Sequence, residues 1–237
     1  MSLCLRGEPM FPEAGLLKVG LTGGIASGKS TVGEMFVTLG AHLVRADEIS
    51  HQLMDPGQEV YDEVVRHFGH EILDPDGRVN RRRLAEIAFG SSVDEIDLGG
   101  EKKKRPSRIQ ELNRIVHPEV IRRQEQWMEE VGKRDGHAIA IVEAALLLEA
   151  GARKSFDRLV VVTCRQEQRI ERWAHRSQVD HEAARREVMR RMAAQLSDDE
   201  KIKVADYVID NTDSLDKTSQ QVQEIYRRLR DQAGGKI

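Results

Sequence analysis

The stretch Gly23-Gly24-Ile25-Ala26-Ser27-Gly28-Lys29-Ser30 fits the pattern G-x-x-x-x-G-K-S/T without mismatch, and nothing else in the chain constrains the fold as much. Glycines let backbone N–H groups curl around phosphate oxygens with no Cβ in the way. The helix that starts at the end of the loop adds its positive N-terminal end. A lysine in the position of Lys29 neutralises β- and γ-phosphoryl oxygens, and a hydroxyl in the position of Ser30 supplies an oxygen to Mg2+. The loop needs a strand before it and a helix after it. Leu16–Thr22 reads as a short buried strand. Val32, Met35, Phe36 and Leu39 share one face of a following helix that Gly40 stops. Gly24, Ile25, Ala26, Ser27, Gly28, Lys29, Ser30 and Thr31 are therefore the candidate nucleotide-binding residues, with Ser30 the candidate metal ligand.

Ala41–Ala46 reads as a second strand, so the chain begins strand, glycine loop, helix, strand. That order builds a parallel sheet through a right-handed crossover. His137–Ala145, Asp157–Cys164 and Ala205–Asp210 are short apolar runs without clean alternation, as expected of strands covered on both faces. Helical stretches at about Arg108–Lys133, Gln166–Arg176 and Asp216–Asp231 separate or follow them. The expected class is α/β, a five-stranded parallel sheet in three layers. Two segments do not fit the sheet. Glu48–His117 is mostly helical and contains Ser91–Ser107, which reads as a mobile loop because of Gly99, Gly100, Pro106 and a lysine run. Ser177–Val204 reads as a charged helical hairpin whose second helix starts at the capping box Ser197–Glu200. The expected organisation is a tail at 1–15, a core at 16–47, 118–176 and 205–237, a helical acceptor domain at 48–117 and a lid at 177–204.

Among 237 residues, 39% are apolar and 32% charged, which suits a globular chain and argues against long disorder. No run approaches the roughly 20 apolar residues that span a bilayer, and Met1–Gly15 has no apolar core of a signal peptide, so a cytoplasmic location and no membrane partner are expected. The net charge of −3 lacks the basic excess of most nucleic-acid binders, although Arg81–Arg83, Lys102–Arg105 and Arg185–Arg191 are basic clusters. Cys4 and Cys164 suggest no disulfide and no metal-ligand spacing.

Asp47 follows the second strand and reads as closing it, in Leu43-Val44-Arg45-Ala46-Asp47. In open parallel sheets ligands sit at the carboxyl ends of strands. A carboxylate there can accept a hydrogen bond from an attacking hydroxyl. Capping the next helix is an equally good reading of the same residue.

With the loop, Asp47 and the two helical excursions in place, the chain resembles the dephospho-CoA kinase family from about Leu16 to the last helix. The motifs that carry the resemblance are LTGGIASGKST at Leu21–Thr31, Ala46-Asp47, and Asp76–Arg81 followed by Leu84. Further along come Leu112-Asn113 with His117-Pro118, Leu146–Glu149, and ADYVIDN at Ala205–Asn211. The resemblance implies an ATP- and Mg2+-dependent kinase that phosphorylates the ribose 3′-hydroxyl of dephospho-CoA. It implies Asp47 as general base, Lys29 on the phosphates, and Arg176 and Arg191 arriving from the lid, with Arg172 and Arg190 competing for that role. Arg82, His117, Leu146 and Glu149 would surround the acceptor, and Asn211 would lie near the adenine.

Three positions depart from the family pattern. Arg45 stands where an Asp is usual, Glu143 replaces an Asp and Ala145 replaces a Pro. Glu143 keeps the charge, so a water-mediated Mg2+ role can survive. Arg45 is expected to point away, because neighbouring strand residues face opposite sides. Another small-molecule kinase of the same architecture, a nucleotide-dependent switch or nucleic-acid ATPase, and a non-catalytic relative remain open on residues alone. Only 4% aromatic residues and the near-neutral charge weigh against nucleic acid.

Overall fold

The computed structural model describes residues 15–89, 95–97, 102–104 and 108–234. The expected tail, apart from its last residue, and most of the expected Ser91–Ser107 loop lie outside the described residues. The elements begin with β1 (Leu17–Gly23), α1 (Lys29–Thr38), β2 (His42–Arg45), α2 (Ala46–Leu53), α3 (Glu59–Phe68) and α4 (Arg81–Phe89). Next come β3 (Glu95–Asp97), β4 (Lys102–Lys104), α5 (Ile109–Arg134), β5 (Ile139–Glu143) and β6 (Arg158–Thr163). The chain ends with α6 (Gln166–Ser177), α7 (His181–Ala193), α8 (Asp198–Lys203), β7 (Tyr207–Asp210) and α9 (Leu215–Gln232). Two compact units result: Met1–Arg45 with Trp127–Ile237, and Ala46–Gln126.

In the first unit five strands form one sheet in the order β2-β5-β1-β6-β7, every neighbouring pair parallel. Alternation along the strands explains the three layers. Leu17, Val19 and Leu21 of β1, Ile139 and Ile141 of β5, and Val160 and Val162 of β6 turn to one face. There they pack with Val32 and Phe36 of α1 and Val222, Ile225 and Leu229 of α9. Ala140 and Val142, with Leu159 and Val161, turn to the other face and meet Met128 and Val131 of α5 together with Leu147 and Phe156. The three central strands β1, β5 and β6 bury both faces, so neither face carries the polar alternation of a half-wet sheet there, while the edge strands β2 and β7 are partly exposed. Gly20 is small of necessity, since a Cβ there would lie 2.8 Å from Leu147 Cδ1. A third cluster joins Ile25 of the glycine loop to Ile170 of α6 and Ala184 and Val188 of α7. The α7 helix is thereby seated on α6 and on the loop itself.

The second unit holds α2, α3, α4, the antiparallel pair β3–β4 and the first part of α5. Val60, Val64, Phe68, Ile72 and Leu84 are buried, and the Arg108 guanidinium lies 4.5 Å from the Phe68 ring centroid. The turn between Asp74 and Asn80 is closed by Asp74 N to Arg78 O at 2.8 Å. Gly77 takes φ +81° there, the left-handed region that glycine enters without strain. Asn80 Oδ1 then accepts Arg83 N at 3.0 Å and caps α4.

One sequence expectation is corrected here. The second strand stops at Arg45, and Asp47 is the second residue of α2, neither a strand residue nor its N-cap. Helix α5 runs through Pro118 close to the expected span, so His117 is a mid-helix residue. Pro118 removes one backbone donor, which a helix of 26 residues tolerates through its remaining bonds. The Ser197 capping box forms as expected: Glu200 N donates to Ser197 Oγ at 3.2 Å and Ser197 N donates to Glu200 Oε2 at 2.8 Å. Among the described residues no helix is long and apolar enough to cross a membrane.

Candidate active site

The glycine loop leaves β1 at Gly23, whose Cα faces Val162 of β6 so closely that a Cβ would lie 2.2 Å from its carbonyl oxygen. Gly28, the N-cap of α1, has φ 97°, and a Cβ there would lie 2.0 Å from Asn211 Nδ2. Ala26 also takes a positive φ, of 52°. These turns aim successive N–H groups at a concave face. The first turn of α1 carries no acid that would oppose an anion. Lys29 folds back over the loop, its Nζ donating to Gly23 O at 3.0 Å and to Gly24 O at 3.1 Å. Ser30 and Thr31 are exposed, while Ile25 is buried under α6 and α7, so it can meet a nucleotide only through its backbone.

Asn211, expected near the adenine, turns its side chain into the loop instead. It is 3% exposed. Its Nδ2 donates to Ser27 O at 2.9 Å, and its Oδ1 accepts from Thr218 Oγ1 at 3.0 Å. Arg172 spans the same place, donating to Ser27 O at 3.3 Å and to Asn211 O at 3.0 Å. Sequence reasoning missed Arg169. It is fully buried, donates through Nε to Cys164 O at 3.3 Å and pairs with Asp198 of α8. Its Nη1 lies 2.0 Å from where a Cβ on Gly24 would sit. Two arginines thus brace the loop, Arg169 behind Gly24 and Arg172 behind Ser27. Their spacing of three along α6 puts both on one helix face, and that spacing was the available signal.

On the metal side, Ser30 Oγ donates to Glu143 Oε1 at 2.8 Å. Arg45 does not point away: its Nε donates to Glu143 Oε2 at 3.3 Å, and it also pairs with Glu34 of α1. The reason is register. Arg45 and Glu143 are direct partners across the parallel pair β2–β5, and such partners project to the same face. No group of three His, Cys, Asp or Glu side chains poised for a metal occurs among the described residues. One hydroxyl and one nearby carboxylate are hard oxygen donors, which fits Mg2+, an ion that keeps waters and binds mainly through phosphates.

Where α6 meets α7, the Arg176 and Arg191 guanidinium carbons lie 4.8 and 4.6 Å from the Trp173 ring centroid. Glu187 accepts from Arg191 Nε at 2.6 Å and from two nitrogens of Arg190 at 2.8 Å each. Arg190, then Arg191, draw the Glu187 carboxyl down to about 2 against partial burial, so this clamp stays ionised throughout the neutral range.

The residues expected around the acceptor fall in both units, Leu146 and Glu149 in the first, Arg82 and His117 in the second. Leu146 is 39% exposed, whereas its neighbour Leu147 is core. Glu149 is engaged elsewhere: its Oε1 accepts Leu196 N at 3.0 Å and lies 3.1 Å from Nζ of the buried Lys201. Glu149 therefore anchors the return from α7 to α8. The Lys201–Glu149 contact has the distance of a hydrogen bond but not its angles, and among the described residues Lys201 Nζ has no other hydrogen-bond partner. In the second unit, Arg82 pairs with Glu86 at 3.0 Å and its side chain is 89% exposed. Burial lowers the His117 pKa, which keeps the imidazole neutral at pH 7. Asp47 is exposed on the first turn of α2. Among the described residues no hydrogen bond or ion pair joins Asp47, Arg82 and His117 to one another. Asp47 does have electrostatic neighbours that sequence reasoning missed. Burial and the charge of Arg81 push the His51 pKa down, while Asp47, one turn earlier on α2, pushes it up. The i, i+4 spacing of Asp47 and His51 was the signal for that pair.

A model of the dephospho-CoA kinase family matches residues 17–217. A dephospho-CoA kinase of Aquifex aeolicus is 35% identical over 212 residues, covering 90% of this chain and 97% of its own length. That of Syntrophotalea carbinolica is 37% identical over 214 residues, covering 90% and 92%. A crystal structure from Thermus thermophilus superposes with a TM-score of 0.69 at 28% identity, covering 91% of this chain and 98% of the other. A dephospho-CoA kinase from Campylobacter jejuni shares the fold, with a TM-score of 0.54 at 22% identity over 90% of this chain and 96% of the other.

Proposed function

The chain belongs to the dephospho-CoA kinase family, and from that membership we propose that it transfers the γ-phosphoryl group of ATP to the ribose 3′-hydroxyl of dephospho-CoA. The products are CoA and ADP, the last step of CoA biosynthesis, and we place the reaction in the cytoplasm with its ATP. The observation that carries the reading is the loop itself, with Lys29 folded over Gly23 and Gly24 and Ser30 hydrogen-bonded to Glu143.

In this reading the 3′-oxygen forms a bond to the γ-phosphorus as the bond to the β–γ bridging oxygen breaks. Asp47 orients the hydroxyl and receives its proton. Lys29 and the α1 N-terminus hold the phosphates. Ser30, with Glu143 behind it, would hold Mg2+, which would neutralise phosphoryl charge. Arg169 and Arg172 keep the loop in shape from behind. His117, a neutral imidazole, and Arg82 are assigned to the acceptor, for which the unit Ala46–Gln126 is the binding domain. The segment 177–204 is assigned as the lid, with Arg176 and Arg191 leaving Trp173 to meet the transferring group. The assay is CoA formation from ATP, Mg2+ and dephospho-CoA, read by mass spectrometry. An analogue lacking the 3′-hydroxyl is expected to bind without turnover; its phosphorylation would place the transfer at another oxygen.

The lid arginines have their own test. An arginine that arrives on closure contributes roughly 10³–10⁵ in rate. Replacing Arg191 or Arg176 by Ala is expected to lower kcat far more than it raises KM for ATP. If both variants change KM alone, these arginines only bind nucleotide.

A further inference from the structure

We propose that Arg45 is a positioning residue of the metal subsite, which orients Glu143 against Ser30 and by its charge keeps free divalent cations out until nucleotide phosphates arrive. The proposal rests on the reading of the loop as a nucleotide site. The geometry is a closed circuit. Ser30 of α1 donates to Glu143 of β5; Glu143 accepts from Arg45 of β2; Arg45 pairs with Glu34, one turn beyond Ser30 on α1. Glu143 is 7% exposed and has both oxygens occupied, Oε1 by Ser30 and Oε2 by Arg45. Gly33 leaves room for it, since a Cβ there would stand 3.5 Å from Glu143 Oε2 and 3.0 Å from Leu43 Cδ2. A glutamate has more side-chain freedom than an aspartate, and a charged hydrogen bond from Arg45 fixes it in one orientation. Because Ser30 spends its proton on Glu143, its oxygen lone pairs remain available to a cation.

Charge supplies the second half. Without Arg45, the Glu143 carboxylate beside the Ser30 hydroxyl, with Glu34 one turn along α1, would carry two uncompensated negative charges, an attractive place for a hydrated divalent ion. With Arg45 between them the net charge of the three falls to −1. Triphosphate oxygens then become necessary for tight metal binding. An order-of-magnitude estimate follows from Coulomb's law. Removing a unit charge about 6 Å from a divalent ion changes its affinity by at least about tenfold even at water-like screening.

The test uses Arg45→Gln, which keeps length and a donor but removes the charge. Arg45 lies on the edge strand β2 and is partly exposed, so the fold is expected to survive, as a thermal melt will show. Mn2+ binding to the nucleotide-free protein is read by electron paramagnetic resonance, with no turnover involved. Arg45→Gln is expected to bind Mn2+ at least about tenfold more tightly than the natural chain. Adding Glu143→Gln is expected to abolish that gain, and Arg45→Lys is expected to exclude Mn2+ as the natural chain does. ADP titrations in Mg2+ and in EDTA provide the companion measurement: the advantage given by Mg2+ is expected to shrink in Arg45→Gln, with affinity in EDTA unchanged within a few-fold. Unchanged Mn2+ affinity in Arg45→Gln, a gain that survives Glu143→Gln, or a lysine variant that behaves like glutamine overturns the proposal. If the natural chain binds ADP no better with Mg2+ than with EDTA, the metal–nucleotide reading of the loop fails instead. The Mn2+ comparison still judges Arg45 separately.

Discussion

Lys29→Ala is expected to lower turnover by about a thousandfold while moving the thermal transition by only a few degrees. The ammonium sits over the loop on two carbonyl oxygens, at 3.0 and 3.1 Å. When phosphates fill the loop, the same charge would sit beside the oxygens on which negative charge develops. Removing one preorganised group of this kind costs roughly 10²–10³ in rate, and the lysine also contributes to binding the ground state. The folded state loses little. Lys29 is only half-buried, and water can take up the two carbonyls once the side chain is gone. Because water replaces the ammonium on both carbonyls, the net loss is about 1 kcal/mol in all, which moves the midpoint of a chain this size by about 2–4 °C. Steady-state kinetics on ATP and dephospho-CoA, with calorimetry of the ligand-free protein, measure both quantities. A variant that keeps full activity would remove Lys29 from the mechanism. One that fails to fold would make it structural.

Asp47→Asn is the second large effect, expected to reduce kcat at least about a hundredfold with both substrates bound within a few-fold of normal. A ribose hydroxyl is a weak nucleophile at neutral pH, and a carboxylate that orients it and takes its proton contributes roughly 10²–10⁴. Asn keeps the shape of Asp and is tolerated on the exposed first turn of α2. It forfeits only the attraction between an acid and the helix N-terminus, about 0.3–1 kcal/mol. The alternative reading, a residue that serves the helix alone, predicts near-normal turnover. An internal control is available in His51. Asp47 raises its pKa, so the variant is expected to titrate His51 at lower pH than the natural chain, as followed by NMR. That shift shows the helix in place whether or not catalysis is lost.

The five parallel strands, the glycine loop and the helices that flank it were legible in the sequence because each depends on local chemistry. Gly23 and Gly28 announce backbone conformations that side chains resist, and both take positive φ. Val32 and Phe36 announce a helix face, and both are buried in the core against β1 and α9. The continuous apolar runs of β5 and β6 announce burial on two faces, and the five strands do pair in parallel. Ser197 and Glu200 form their reciprocal cap because it needs only four consecutive residues. Element ends were less legible. The switch from β2 to α2 at Ala46 has no breaker residue to mark it, and Pro118 looks like a boundary although α5 absorbs it.

Partners across the chain were decided only by tertiary structure. Arg45 meets Glu143 because β2 pairs with β5 in one register, and a shift of one residue would turn the two side chains to opposite faces. Asn211 braces Ser27 from 184 positions away because β7 delivers it beside the loop. Glu149 lies beside Lys201, 52 positions away, because α8 buries an ammonium that needs a nearby carboxylate. Trp173 gathers Arg176 and Arg191 because α7 packs back along α6 through Ile170, Ala184 and Val188. Local propensity and motif spacing act within a few residues, and at that range the sequence by itself determined the fold class and the phosphate loop. Which charge meets which is set by sheet register and helix packing, where the cost of an unpaired buried group selects among many sequence-distant candidates.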